Sequence, residues 1–291
     1  MQKTNYNFNL TTMEIHMISV YQNWNMDAEL PLVIHRIVNL SFYPHFHNEI
    51  EFVYVEKGEM VVGVNEERRL LRAGDMVICC SNDIHYYESK DAESEVFMLI
   101  CKPELIGTAK SWPVDFRFAS PFIDSTPSEL SRVRHLMLQI LQEKESAITG
   151  YPMYIKSYLL ELFGTLCRHL PTVPFERSSN QRFESKRAKF QQIITFIEAN
   201  YSLDLSVEMM SERFEMNPSH FCRSFKKVIG MNFKTYLNTI RVLMAEHMLV
   251  NTHASITDIA LECGFGSIRT FNRVYKELKG CSPSDTRSNI H

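Results

Sequence analysis

Glycine is scarce in this chain, 10 in 291 residues, and none sits in a run of the kind that cradles phosphate. No apolar stretch is long. The longest, residues 76–80 and 96–101, are far too short to span a bilayer. The first thirty residues lack an apolar core behind a basic start, so no secretory leader is expected. The seven cysteines are odd in number and irregular in spacing, and Cys79 and Cys80 are adjacent. That argues against a disulfide framework and for free thiols in a reducing cytoplasm. No Ser/His/Asp or Cys/His set stands out for nucleophilic catalysis. Membrane-spanning, disulfide-stapled and phosphate-loop classes are thereby set aside.

What is present fits a globular chain of two domains: 45% hydrophobic and 22% charged residues over 291 positions. The net charge of −3 hides an asymmetry. From Arg182 onward there are 15 Lys and Arg against 11 Asp and Glu, a net +4, leaving −7 on the remainder. Such a split hints at a nucleic-acid-binding end.

Residues up to about 110 read as short strands. Residues 32–38, 50–56, 60–65, 76–79 and 96–101 are apolar or β-branched, with turns at Lys57-Gly58-Glu59 and Ala73-Gly74-Asp75. Within them lies His45-Phe46-His47-Asn48-Glu49-Ile50-Glu51, followed by Gly58, Gly74-Asp75 and His85. Period-two alternation puts His45, His47, Glu49 and Glu51 on one side of the chain. His45, His47, Glu51 and His85 form a chemically sensible set for a divalent transition metal. The spacing resembles the first motif of the cupin family: His45, His47, Glu51, Gly58. The second cupin motif usually has Pro before its His, whereas here residues 80–85 contain none. The resemblance implies a small β-barrel whose pocket holds either a metal or a small polar ligand. Arg36, Tyr54 and Tyr87 are further candidates to bind sugar hydroxyls or a carboxylate. Cys79, Cys80 and Cys101 read as buried small hydrophobes.

In the middle, Leu130, Val133, Met137, Ile140 and Leu141 recur at helical spacing after Pro127 and Ser128. Gly150-Tyr151-Pro152 ends that helix, and Ile155, Tyr158, Leu159, Leu162, Phe163 and Leu166 mark a second. The pair is expected to support a homodimer, the alternative being that it packs on its own barrel. Residues 171–185, rich in Pro, Ser, Asn and Gln, read as a linker.

The C-terminal part contains an internal repeat. Phe221-x-Arg223-x-Phe225-Lys226-x-x-x-Gly230 returns as Phe271-x-Arg273-x-Tyr275-Lys276-x-x-x-Gly280, at an offset of 50. Each copy follows a short helix and a tight turn. Ser206, Asn217 before Pro218, Ser255 and Ser267 are N-cap candidates, and residues 233–248 form a long connecting helix. A short helix, a turn and a second helix is the helix-turn-helix plan, with the second helix in the major groove. If Phe221, Phe225, Phe271 and Tyr275 face inward, Ser219, Cys222, Arg223 and Lys226 face outward in one copy, and Arg269, Asn272, Arg273 and Lys276 in the other. Arg suits guanine, Asn suits adenine, and Lys and Ser suit phosphate.

This stretch resembles the AraC/XylS family of bacterial transcription regulators. The match is carried by Leu205-Ser206, Met216-Asn217-Pro218-Ser219, Phe221, Arg223 and Phe225-Lys226-Lys227 in the first unit. Ile259-Ala260, Glu262, Gly264-Phe265, Phe271, Arg273, Tyr275-Lys276, Gly280 and Ser282-Pro283 carry it in the second. The resemblance implies DNA contacts from Ser219, Cys222, Arg223, Lys226 and Lys227, then Ile268, Arg269, Asn272, Arg273 and Lys276. It also implies a small-molecule effector, a sugar by the family's habit, RNA polymerase as partner for an activator, and a homodimer. Three positions depart from the family: Glu215 where Gly is usual in the turn, Ser211 where Ala is usual, and Thr286 where an aromatic is common. A non-glycine in a left-handed turn costs roughly 1 kcal/mol. The second unit is therefore expected to be the more regular.

The expected architecture is α+β and multidomain. It comprises a cupin-like effector domain over 1–125, a helical dimerisation segment over 126–170, a linker over 171–187 and a tandem helix-turn-helix domain over 188–291. The expected function is DNA-binding regulation rather than catalysis. A metal-dependent cupin enzyme with a helical tail is the competing reading.

Overall fold

Antiparallel strands build the N-terminal unit, because its β-branched and aromatic stretches are cut short by turns every few residues. The structure is a computed structural model that describes residues 26, 29–89, 93–106, 116–124, 131–174 and 181–288. The chain divides between Arg187 and Ala188 into two units. In the first, β1 (Leu32–Val38), β2 (Phe42–His45), β3 (Ile50–Lys57), β4 (Glu59–Val64), β5 (Glu67–Arg72), β6 (Met76–Cys79), β7 (His85–Glu88) and β8 (Glu95–Cys101) are followed by β9 (Phe116–Phe118) and β10 (Phe122–Ile123). One sheet runs β1-β8-β3-β6-β10 and a second runs β2-β7-β4-β5. The result is the β-rich N-terminal domain that the strand pattern predicts, built among the described residues as two sheets rather than one closed barrel.

Strand parity decides what each face does. In β3, Ile50, Phe52 and Tyr54 join Leu32, Ile34, Phe97 and Leu99 in one core. Helices α1 (Ser131–Ser146) and α2 (Tyr151–His169) complete that core with Val133, Leu136, Met137, Ile140, Ile155, Leu159, Leu162, Phe163 and Leu166. The inner faces of both helices therefore cover their own sheet, the alternative to a purely dimeric role. Pro127 and Ser128, the expected start of α1, lie outside the described residues. The described parts of the stretch read as linker carry regular structure. Strand β11 (Thr172–Pro174) pairs with β9, and helix α3 (Gln181–Ala199) starts before the division between units. Hydrogen bonding to β9 overrides the Pro-rich composition there.

The second unit is helical: the rest of α3, then α4 (Val207–Arg213), α5 (Pro218–Ile229), α6 (Phe233–Asn251), α7 (Ile256–Glu262), α8 (Ile268–Lys279) and α9 (Pro283–Ser288). All four predicted caps form. Ser206 accepts from Met209 N, Asn217 from Ser219 N, Ser255 from Asp258 N and Ser267 from Thr270 N. Phe271, Val274 and Tyr275 of α8 pack with Ile259, Ala260 and Phe265, and with Val242, Ala245 and Leu249 of α6. No helix among the described residues is long and apolar enough to cross a membrane.

Glu198, in α3, titrates out of its normal range. Burial raises the Glu198 carboxyl to about 7, against a usual 4.5, although Tyr236 Oη donates to it at 3.1 Å. The folded state thus holds a proton that the unfolded chain loses, so stability falls as pH rises from about 4.5 to 7 and is flat above. The full shift corresponds to on the order of 3 kcal/mol. Part of the residue stays exposed, so solvent screening reduces it. We expect Glu198→Gln to stabilise the chain by roughly 1–2 kcal/mol at pH 8 and by almost nothing at pH 4. Denaturant melts at the two pH values check this, and equal gains at both would remove the explanation.

Candidate functional site

Four buried polar side chains converge between the two sheets. Glu51 sits on the face of β3 opposite Phe52 and pairs across the ladder with Cys79 and Ile100. His45 ends β2 and His85 opens β7, and the two are register partners. His47 lies in the turn before β3. His45, His47, Glu51 and His85 each bring one ligand-type atom to within 4.8 Å of the others. Glu51 Oε2 lies 3.1 Å from His47 Nε2 and 3.3 Å from His85 Nε2, and Tyr87 Oη donates to Glu51 Oε1 at 2.7 Å.

Outer contacts aim the rings. His45 Nδ1 donates to the Tyr43 carbonyl and His85 Nδ1 to the Asp83 carbonyl, both at 2.9 Å. A carbonyl only accepts, so each Nδ1 carries a proton and each Nε2 points into the cluster. The Glu49 carboxylate lies 3.5 Å from His47 Nδ1. Burial, with the neighbouring His85 and His47, holds His45 well below its usual pKa, so it is neutral. For Glu51, burial pushes upward, but hydrogen bonds from His47 and His85 outweigh it and keep the carboxyl well below its usual range. Burial pulls His85 down, and Glu51 more than offsets that, leaving it raised. A carboxylate, a neutral imidazole and rings anchored through their far nitrogens form the donor set that a divalent metal takes. Ligand atoms about 2.1 Å from a metal lie roughly 3.0–3.4 Å apart, as the Glu51–His pairs do.

Two expected site residues belong elsewhere. Tyr54 is three residues from Glu51, so parity turns it to the opposite, helix-covered face. Arg36 pairs with Phe97 on that same outer side, where its guanidinium lies 5.7 Å from the Phe97 ring and 2.5 Å from Glu95 Oε2. Neither reaches the cluster. Cys79 was read only as a small hydrophobe, yet it faces the cluster, with Sγ 3.7 Å from Tyr87 Oη. His35 shares that face through its pairing with Met98, which also pairs with Val53. Strand parity counted from Glu51 is the signal that finds Cys79 and excludes Tyr54.

The second candidate surface is the outward side of α5 and α8. Phe221, Phe225, Phe271 and Tyr275 are fully buried. Ser219, Cys222, Arg223, Lys226 and Lys227 on α5 are exposed, as are Ile268, Arg269, Asn272, Arg273 and Lys276 on α8. The repeat thus places two parallel sets of polar side chains on the faces opposite the aromatics. Sequence reasoning missed Glu277, whose Oε1 lies 2.7 Å from Arg273 Nη1.

The two turns are built alike. Met216 N donates to Ser211 O at 2.8 Å, and Phe265 N donates to Ala260 O at 2.9 Å. Glu215 and Gly264 occupy equivalent left-handed positions, with φ of 50° and 82°. Ser211 is buried and its hydroxyl has no hydrogen-bond partner, whereas Ala260 has no hydroxyl to satisfy.

Comparison with known proteins gives matches along most of the chain. Residues 33–163 match a family model described as an AraC-like ligand binding domain, and residues 210–289 match one described as a helix-turn-helix domain. The HTH-type transcriptional activator RhaS of Yersinia pestis (strain Pestoides F) is 26% identical over 284 residues, 95% of this chain and 99% of that protein. RhaS of Enterobacter sp. (strain 638) is 26% identical over 258 residues, 87% of this chain and 90% of that protein. Among solved structures, ToxT from Vibrio cholerae aligns over 88% of this chain and 97% of its own, at 12% identity and a TM-score of 0.44.

Proposed function

The chain belongs to the AraC family of transcription regulators, with an N-terminal effector domain and a C-terminal helix-turn-helix domain, and from that premise we propose how its residues divide the work. Arg223 and Arg269, Asn272 and Arg273 read base edges, while Ser219, Lys226, Lys227 and Lys276 hold phosphates, with Cys222 and Ile268 against the groove. The observation that carries this reading is the pair of exposed polar faces, each backed by two fully buried aromatics. Arg273 Nη1 is paired with Glu277, an exposed pair of small energetic weight.

In the N-terminal domain, His45, His47, Glu51 and His85 would hold a divalent metal; what supports this is that one ligand atom from each lies within 4.8 Å of the others. A bound ion supplies a Lewis-acidic point for an oxygen-rich effector, and a carbohydrate is the class proposed. Tyr87 and Cys79 flank that point. The chain acts in the cytoplasm as a regulator and not as an enzyme. The RhaS relatives are named activators, and activation with RNA polymerase as partner extends that likeness to this chain. The dimer forms through the outer face of α2, where Met153, Tyr154 and Leu160 are 77%, 56% and 52% exposed. Sedimentation of the full chain tests the dimer.

Gel-shift binding to the chain's own upstream DNA, with a sugar panel and metal analysis of the same preparation, tests the whole reading. Arg273→Ala is expected to cost about 1–3 kcal/mol on that DNA and to relax specificity at one base. Wild-type binding of both upstream and scrambled DNA by this variant would show the groove assignment to be wrong. Stoichiometric metal with catalytic turnover would favour the enzyme reading.

A further inference from the structure

We propose that the Asp83–Arg187 ion pair is a latch through which the buried cluster sets the start of helix α3, and thereby the DNA affinity of the unit that α3 enters. The inference rests on the effector reading of the cluster and adds its route of regulation.

The loop from Cys80 to Ile84 is bonded on both sides. Toward the cluster, His85 Nδ1 donates to Asp83 O at 2.9 Å, and Asn82 N donates to His47 O at 2.7 Å. Two of the four cluster residues are thus tied to this loop's backbone. Away from the cluster, Ile84 N donates to Asn65 Oδ1 at 3.1 Å and Asn65 N donates to Ile84 O at 2.7 Å, and the Asp83 carboxylate makes a further attachment. Its Oδ1 accepts from Asn65 Nδ2 and from Arg187 Nη1, each at 2.9 Å, and its Oδ2 accepts from Cys80 N at 3.0 Å. Lys186, next to Arg187, pairs with Glu66. Arg187 is the last residue of the N-terminal unit, and α3 continues as the first helix of the DNA-binding unit.

The Asp83 and Arg187 side chains are only 8% and 10% exposed. A buried ion pair is a poor source of stability, because desolvating both charges offsets most of their attraction. It does fix geometry, since Arg meets a carboxylate in few orientations. A shift of His47 or His85 on loading the cluster moves the Asp83 backbone, and the carboxylate and α3 with it. A passive structural pair would stabilise the unit without changing any response to loading.

The test uses the full chain, zinc ion as probe and fluorescence anisotropy on the chain's own upstream DNA, with calorimetric titration of zinc alongside. Wild type is expected to bind one zinc and to change its DNA affinity at least fivefold on loading. Arg187→Ala and Asp83→Asn are expected to bind zinc with the same stoichiometry while their DNA affinity changes less than twofold. Arg187→Lys, which keeps the charge, is expected to retain part of the response. A wild-type response in Arg187→Ala, or zinc-loaded wild type with unchanged DNA affinity, overturns the latch. Failure of wild type to take up zinc overturns instead the cluster reading beneath it, and the titration separates the two outcomes.

Discussion

Glu51→Ala is expected to destabilise the N-terminal unit by about 3–5 kcal/mol in metal-free buffer, the cost typical of breaking a buried charge network from one side. Glu51 is the only carboxylate of the cluster, and it accepts from Tyr87 Oη, His47 Nε2 and His85 Nε2. Alanine leaves a void and takes from those three buried groups the acceptor they share. Glu51 also holds the His85 pKa up against burial, so its removal lets burial pull that pKa down. Glu51→Gln separates shape from charge. Its amide oxygen still accepts from Tyr87, and its NH2 meets a neutral imidazole, so the expected cost is about 1–2 kcal/mol. Calorimetry of the full chain with chelator reads both. Unfolding of the N-terminal unit is expected to drop by roughly 10 °C for alanine and a few degrees for glutamine. An alanine variant that melts with wild type would mean that the network contributes no stability.

The same cluster shows how far residue order alone reaches. His45, His47, Glu51 and His85 are legible because a strand period of two and one motif spacing bring them to one side. Tyr54 is polar, but it stands three residues from Glu51, and parity puts it in the helix-covered core on the other face. Arg36 sits on an outer face that only the β1–β8 register reveals. The anchoring carbonyls of Tyr43 and Asp83 are backbone atoms, which no residue type announces. In the C-terminal unit the repeat exposes both recognition helices, and helical spacing sorts Phe221, Phe225, Phe271 and Tyr275 from the outward residues. The stretch after Pro171 misled because its composition is that of a linker, while β11 is held by hydrogen bonds to β9, nearly sixty residues earlier.

The two turns differ in what they demand, and Gly264→Ala is expected to be far more damaging than its size suggests. At φ 82° any side chain is strained, by roughly 1–2 kcal/mol. Glu215 at φ 50° bears a similar strain, yet it is exposed and its side chain runs into solvent. At Gly264 a Cβ would lie 2.6 Å from the carbonyl oxygen of Ser202 and 2.9 Å from its carbonyl carbon and Cα. Those are backbone atoms in the loop between α3 and α4, so relief requires moving that loop rather than turning a rotamer. Overpacking of this kind adds about 1–3 kcal/mol. The sum, roughly 2–5 kcal/mol, falls on the turn that orients α8, so DNA affinity is expected to drop at least tenfold in the full chain. Glu215→Gly tests the asymmetry from the other side. It removes left-handed strain but adds backbone entropy to the unfolded chain, so the net change is expected to stay within about 1 kcal/mol. Denaturant melts and anisotropy on the two variants decide between the explanations. If Gly264→Ala costs no more than about 2 kcal/mol, φ alone accounts for the glycine. A larger loss, with Glu215→Gly near neutral, places the requirement on the approach of Ser202.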